Sequence, residues 1–340
     1  MIELAEIRSA ASRLERLVHR TPVLPATTLG ARAGVRLLLK CESFQKTGSF
    51  KPRGALNIVL SLPEARRSRG LITVSAGNHA QAVAWAARRA GADCAVVMPV
   101  GAPRSKIEAV RGYGAAVILH EDRATLFDRL NAEQERSGAT FVHPFDDPVG
   151  LAGAGTVGLE IVAQVPDVDA IVVPVGGGGL MAGTACAVKA LRPQCRVIAV
   201  ELAAGPGLKP ALAAGKPVPV SRPPDTLADG MTPPFVGALP LAIARERVDD
   251  IVAVTEDDIR LAMRLLLTRA KLCVEGSGAA AVAAVLAGAV AAPPDALVVA
   301  IVSGGNVDPE RLLSLFEPAP AAAQHPGFSE AGRAGGAESG

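Results

Sequence analysis

The chain has 340 residues, 35 basic against 33 acidic for a formal net charge of +2, with 49% hydrophobic and 20% charged residues. That composition excludes a disordered or fibrous protein and supplies ample core material. The two signs of charge are mixed along the sequence, which excludes the basic stripe of a nucleic-acid or anionic-membrane binder, so the ligand is expected to be a small molecule.

The opening Met1-Ile2-Glu3-Leu4-Ala5-Glu6 is acidic and lacks the basic end and apolar run of an export signal, which predicts a cytoplasmic protein. Short runs rich in Val and Ile follow at 35–40, 71–75, 94–99, 116–120, 140–143, 170–175, 196–201, 250–254 and 296–302. Between them lie Ala- and Arg-rich stretches, with helices expected at 80–90 and 181–191. Strands alternating with helices predict an α/β fold of parallel sheets covered on both faces, and the length allows two lobes around a cleft. The stretch 276–292 is apolar, but it is dominated by Ala and Gly and falls short of a bilayer span; it predicts a tightly packed internal helix and no membrane partner. Cys41, Cys94, Cys186, Cys195 and Cys273 show no C-x-x-C or His-paired spacing and are expected to be reduced, mostly buried thiols. From Glu317 the text turns to Pro, Ala, Gly and Ser, so 317–340 is expected to be a disordered tail.

In open α/β sheets, ligands lie beyond the carboxyl ends of strands, which directs attention to the residues after each run. Gly176 to Gly179 follow the run 171–175 and precede a helical stretch. Glycines there let backbone amides approach a phosphate at a helix N-terminus. Taken alone, Gly177-x-Gly179-x-x-Ala182 with Glu201 at the end of the next run would pass for a nicotinamide-dinucleotide site. Ser75-Ala76-Gly77-Asn78-His79 and Ser303-Gly304-Gly305-Asn306 occupy equivalent positions after two other runs.

Ser43-Phe44-Gln45-Lys46-Thr47-Gly48-Ser49-Phe50-Lys51-Pro52-Arg53-Gly54-Ala55 resembles the lysine motif of the fold-type II pyridoxal-phosphate enzymes, the group that includes threonine dehydratase, serine racemase and the β subunit of tryptophan synthase. The likeness is strongest to threonine dehydratase and serine racemase and runs from Arg20-Thr21-Pro22 to Ser303-Gly304-Gly305-Asn306. Ser75 to Gln81 looks like the family's substrate-carboxylate loop, and His143-Pro144-Phe145-Asp146-Asp147 like the return between domains. Pro174 to Gly179 is similar to the phosphate loop, while Thr226 to Gly230 and Glu275 to Ala280 match two further stretches. This ordered set displaces the nicotinamide reading.

The resemblance implies two open, twisted, mostly parallel sheets with the active site between domains. The large cofactor domain would take 1–60 and 147–316, the small domain 61–146, with no regulatory domain and no isoleucine feedback through this polypeptide. It implies pyridoxal 5'-phosphate held by the amine of Lys51, with Phe50 near the ring, Asn78 at its phenolic oxygen, and Gly176, Gly177, Gly178, Gly179 and Leu180 at its phosphate. Ser303 would face the pyridine nitrogen. Freed from the cofactor, Lys51 would act as general base at the substrate's Cα. Ser75, Ala76, Gly77, Asn78, His79 and Gly230 would bind substrate. The implied activity is dehydration of L-threonine or L-serine to a 2-oxo acid and ammonia by a homodimer or homotetramer. Serine racemase, dehydratases of hydroxyaspartate or phenylserine, and a non-catalytic holder of the cofactor are the alternatives.

Two positions depart from the relatives. Racemases carry a second serine where Ala76 stands, and a methyl group moves no proton, so racemisation is expected to be slow or absent. Their divalent cation sits on a glutamate matched by Glu201 and an aspartate six residues later, where this chain has Gly207, so no metal site is assigned and Glu201 stays a weak candidate. His79 is expected to orient the carboxylate loop; His19, His120, His143 and His325 are expected to be structural or solvent-facing.

Overall fold

A computed structural model describes residues 1–317 apart from 103 and 224. All of the expected tail except Glu317 lies outside the described residues, as does His325. The strands are β1 (Val23–Pro25), β2 (Arg36–Cys41), β3 (Leu71–Val74), β4 (Cys94–Pro99), β5 (Ala116–His120), β6 (Thr140–Phe141), β7 (Ala170–Pro174), β8 (Arg196–Leu202), β9 (Asp250–Val254) and β10 (Leu297–Val302). They form a large sheet in the order β1-β2-β10-β7-β8-β9 and a small one in the order β5-β4-β3-β6. Every pairing is parallel except that of β1 with β2. β1 escapes the apolar-run reading because it is three residues long and ends on Pro25, a residue that only a sheet edge tolerates.

Central strands β7, β8 and β10 are apolar along nearly their whole length because helices cover both of their faces. Alternation then sorts the side chains by face. Val172, Ile198, Val200 and Ala300 pack with Val282 of the helix Gly276–Leu286. Ile171, Val173, Val197 and Ile301 pack with Val157 and Ala185 of the helices Pro148–Gln164 and Gly179–Leu191. The helix Gly276–Leu286 is buried from Gly276 to Val285, and its run of alanines explains how it fits against the sheet. No helix among the described residues is long and apolar enough to cross a membrane.

The helix Lys51–Ser61 lies between the sheets. Ala55, Leu56, Ile58 and Val59 enter the small-sheet core with Val83, Val96 and Met98. On its other side, Gly54 and Gly153 let it approach the helix Pro148–Gln164, since a Cβ on Gly54 would stand 2.9 Å from the Gly150 carbonyl oxygen. Beneath this helix is a buried cluster of charges. The Arg53 guanidinium, with no solvent exposure, donates to Glu42 from Nε at 2.7 Å and to Glu160 from Nη1 at 2.7 Å. Lys40 Nζ donates to the Thr21 carbonyl at 2.8 Å and to Gln164 at 2.9 Å, and pairs with Glu160. Burial alone would raise the Glu42 carboxyl, but Arg53 and Lys40 hold it below its ordinary value. The carboxyl ends of β2, β3, β7 and β10 all open on the cleft between the sheets, which places the four sequence motifs together there.

Candidate active site

The segment after β2 is tied to the turn after β10. Phe50 N–H donates to the Ser303 carbonyl at 3.0 Å, Gly305 N–H to the Gly48 carbonyl at 2.9 Å, and Ser49 bridges Gly304. Thr47 and Gly48, both left-handed at φ 58° and 74°, reverse the chain so that Lys51 opens its helix, with Pro52 in the first turn where its missing N–H costs nothing. Lys51 Nζ donates to the Pro144 carbonyl at 2.7 Å and stands 5.1 Å from the centre of the Phe50 ring. Burial, with no carboxylate paired to it, lowers the amine from 10.5 to about 8.

Gly176 to Gly179 join β7 to the helix Gly179–Leu191. Gly178 is left-handed at φ 92°, and a Cβ on Gly177 would run into the ring of Phe145. A side chain at 176 would meet the Gly230 carbonyl at 2.6 Å. The loop is therefore bare backbone at a helix N-terminus, with Leu180 buried behind it.

Asn78 opens the helix Asn78–Arg89. Its Nδ2 donates to Glu275 at 2.6 Å, and its Oδ1 accepts from Asn306 Nδ2 at 2.8 Å. Asn306 also donates to the Thr47 carbonyl at 2.7 Å, so the Asn78 amide is fixed from two sides. Burial, aided by the charge of Asp229, raises the Glu275 carboxyl to about 7 against the opposing pull of Lys106 and Asn78. His79 Nε2 donates to the Val142 carbonyl at 3.0 Å; burial and the nearby Lys51 charge push the imidazole down to about 3, so it stays neutral and ties the helix start to the chain after β6.

In the Ser75–His79 loop not every amide is free. Ser75 N–H is used by the Val97 carbonyl, and Gly77 N–H by Ser75 Oγ at 3.1 Å. Ala76, Asn78 and His79 supply the amides at the helix start, and the Cβ direction of Gly77 opens on free space. Ser303, 5% exposed, donates from Oγ to the Ser277 carbonyl at 3.2 Å, and Ser277 Oγ beside it is buried without a partner among the described residues. Gly230 lies against both Gly176 and Ser277.

Glu201 hydrogen-bonds the start of a helix. Its Oε2 accepts from the N–H groups of Gly207, Leu208 and Lys209 at 3.0, 2.9 and 3.3 Å, capping the helix Leu208–Ala214. Oε2 is thus engaged by backbone, and Glu201 does not stand in a group of three or more potential metal ligands among the described residues. His19 bonds the Phe44 carbonyl through Nδ1, and His120 bonds Thr125. His143 accepts the N–H groups of Phe145 and Asp146 on Nδ1 at 3.2 and 2.9 Å. Of the cysteines, four are buried and Cys273 is exposed.

A family model described as "Pyridoxal-phosphate dependent enzyme" matches residues 14–304. The chain belongs to this family. It is 43% identical to an L-threonine ammonia-lyase of Geobacter sulfurreducens over 93% of this chain and 79% of that protein. It is 42% identical to a serine racemase of Dictyostelium discoideum over 90% of this chain and 95% of that protein. Among solved structures, a threonine deaminase of T.th. superposes with a TM-score of 0.85 at 43% identity, covering 90% of this chain and 99% of the other. These likenesses also show the fold-type II architecture.

As a pyridoxal-phosphate dependent enzyme the chain needs a primary amine, an anion cradle and a polar contact for the ring, and the cleft has all three. The amine is a buried lysine of lowered basicity, the cradle is a loop in which Gly176, Gly177 and Gly178 have no room for a Cβ, and the orphaned Ser277 hydroxyl lies beside Ser303. The lysine, the loops and Ser303 singled out in the sequence lie around this one cleft. Sequence reasoning assigned no role to Pro144, Glu275, Ser277 or Asn306, although all four stand inside motifs it singled out. Their partners come from elements far away in sequence, and only folding brings them together.

Proposed function

We propose that the chain is a pyridoxal-phosphate-dependent ammonia-lyase that removes water from L-threonine and L-serine and yields a 2-oxo acid and ammonia. The observation that carries this reading is the Lys51 amine, poised near neutrality between the glycine loop and the Ser75–His79 loop. The family and its threonine ammonia-lyase relatives support it.

In this reading Gly176 to Gly179 and Leu180 hold the cofactor phosphate, Phe50 flanks the ring, Asn78 reaches its phenolic oxygen and Ser303 its pyridine nitrogen. When bound, pyridoxal phosphate supplies the electron withdrawal that makes the substrate's Cα proton acidic. Lys51 would hold the cofactor covalently and, once freed, would take that proton; an amine near 8 keeps about one molecule in ten neutral at pH 7, far more than an unperturbed lysine offers. The amides of Ala76, Asn78 and His79 fix the substrate carboxylate, with Gly77 giving it clearance. The Asn306 and Glu275 contacts lock the Asn78 amide in one orientation. Ala76 offers no proton to the opposite face of Cα, so elimination is favoured over racemisation.

The domain division into 1–60 with 147–316 and 61–146, a cytoplasmic location and a homodimeric or homotetrameric state belong to the same proposal. Four buried thiols support the reducing compartment. Purified protein should release ammonia and 2-oxobutanoate from L-threonine, and pyruvate from L-serine, with little D-serine. No turnover of either amino acid by cofactor-loaded protein would overturn the reading, and no turnover of hydroxyaspartate or phenylserine as well would favour a cofactor holder.

A further inference from the structure

We propose that the Pro144 carbonyl is the resting dock of the Lys51 amine whenever that amine is not joined to the cofactor, and that Asp146 is the positioning residue that holds the dock in place. The inference rests on Lys51 being the cofactor lysine and concerns where its nitrogen goes when released.

The geometry comes from the crossover His143–Asp147, which returns the chain from β6 to the helix Pro148–Gln164. Lys51 Nζ donates to the Pro144 carbonyl at 2.7 Å. A single carbonyl at the end of a mobile loop would be a poor partner for a buried amine, but this one is fixed from both sides. Downstream, the two carboxylate oxygens of Asp146 accept the N–H groups of Ala238 and Leu239 at 2.9 and 3.0 Å, the first turn of the ten-residue helix Ala238–Arg247. Gly237 lies so close to Asp146 that a Cβ there would stand 2.7 Å from its Cγ. Upstream, His143 Nδ1 accepts from the amides of Phe145 and Asp146. Asp147 caps the next helix through Gly150 N–H at 2.8 Å. Pro144 itself has a fixed φ.

The titratable and charged groups around the amine are His79 from the helix Asn78–Arg89, and His143, Asp146 and Asp147 from the crossover. Both imidazoles are held below their ordinary value, first by burial, and neither supplies a counter-charge. Neither aspartate contributes to the amine's shift, which burial alone explains. A fixed carbonyl is thus the polar partner the folded chain gives this nitrogen. It accepts from an ammonium more strongly than from a neutral amine, so the dock supports the protonated form and limits how far burial lowers the basicity. An amine caught there stays near the cofactor site with its proton held at a defined atom.

The test compares Asp146→Asn with Asp146→Ala. Asparagine removes the charge but keeps an oxygen that can accept from the Ala238 turn; alanine removes both. The readout is the rate at which cofactor-free protein takes up pyridoxal phosphate, followed by visible absorbance as a function of pH. Alanine should shift the pH midpoint down by about half a unit to one unit, while asparagine, which keeps one of the two acceptor oxygens, should shift by less than about half a unit. In turnover, the acid limb of kcat should move in the same direction with KM little changed. Equal shifts in both variants would mean a charge effect, and an unshifted midpoint with a lower rate would mean a structural one; either overturns the dock. If alanine fails to fold, an asparagine midpoint displaced by half a unit or more would overturn it as well. Borohydride trapping of wild type on Lys51 separates the two layers, because a label elsewhere defeats the underlying reading, whereas a Lys51 label with an unmoved alanine midpoint defeats only the dock.

Discussion

The chemistry depends on one amine whose environment, not its identity, makes it useful. A lysine at about 8 is neutral in about one molecule in ten at pH 7, several hundred times more than an unperturbed one. Cofactor uptake should therefore rise with pH through about 8, measured by absorbance, and a rise only near 10 would contradict the burial argument. Lys51→Ala should lower kcat by about 10³-fold or more, since covalent attachment and proton transfer are lost together. Glu275 gives a prediction of opposite sign. Its folded value of about 7 lies above the ordinary 4.5, so the folded chain binds the extra proton between those limits. The stability linked to it is complete below about 4.5 and is lost as pH rises through 7, by about 3 kcal/mol. Glu275→Gln should flatten that loss, and melting curves at pH 5 and pH 8 should show the variant gaining on wild type only at the higher pH.

Among the elements, the helix Lys51–Ser61 decides the site because it aims the amine, and the charge cluster beneath it decides the helix. Arg53 is wholly buried between Glu42 and Glu160. Glu42→Ala would leave that guanidinium short of a partner in a dry site, with an expected loss of about 3–5 kcal/mol in denaturant unfolding. A loss under about 1 kcal/mol would mean that water or Glu160 compensates. This cluster also marks a limit of sequence reading. Arg53 stands two residues after the lysine, yet nothing in the text pairs it with Glu160, which arrives from a helix 107 positions away. The strands were legible because central parallel strands are apolar runs of four to seven residues, whereas β1 was not, its pairing depending on the edge of β2. Glu201 was ambiguous because an acid at a strand end looks alike whether it grips a metal, a ribose or, as here, a helix N-terminus.

At the scale of the whole molecule, polar contacts join the small-sheet side to the large-sheet side beside the cleft. Lys106, on the helix Arg104–Gly112, pairs with Asp229 of the large-sheet side at 2.7 Å, and Ser105 donates to Asp308 at 2.6 Å. Asp229 adjoins Gly230, which lines the site. Lys106→Ala should raise KM for L-threonine on the order of tenfold, the equivalent of about 1.4 kcal/mol for one part-buried charged contact, with a smaller change in kcat. An unchanged KM would show that substrate binding does not depend on this pair. The four motifs were each legible on their own, but their convergence follows from strand order, which no local pattern encodes. The most direct measurement of the account is borohydride reduction of cofactor-loaded protein followed by peptide mapping. One reduced pyridoxyl group is predicted on Lys51; a label on another lysine, or none, would contradict it.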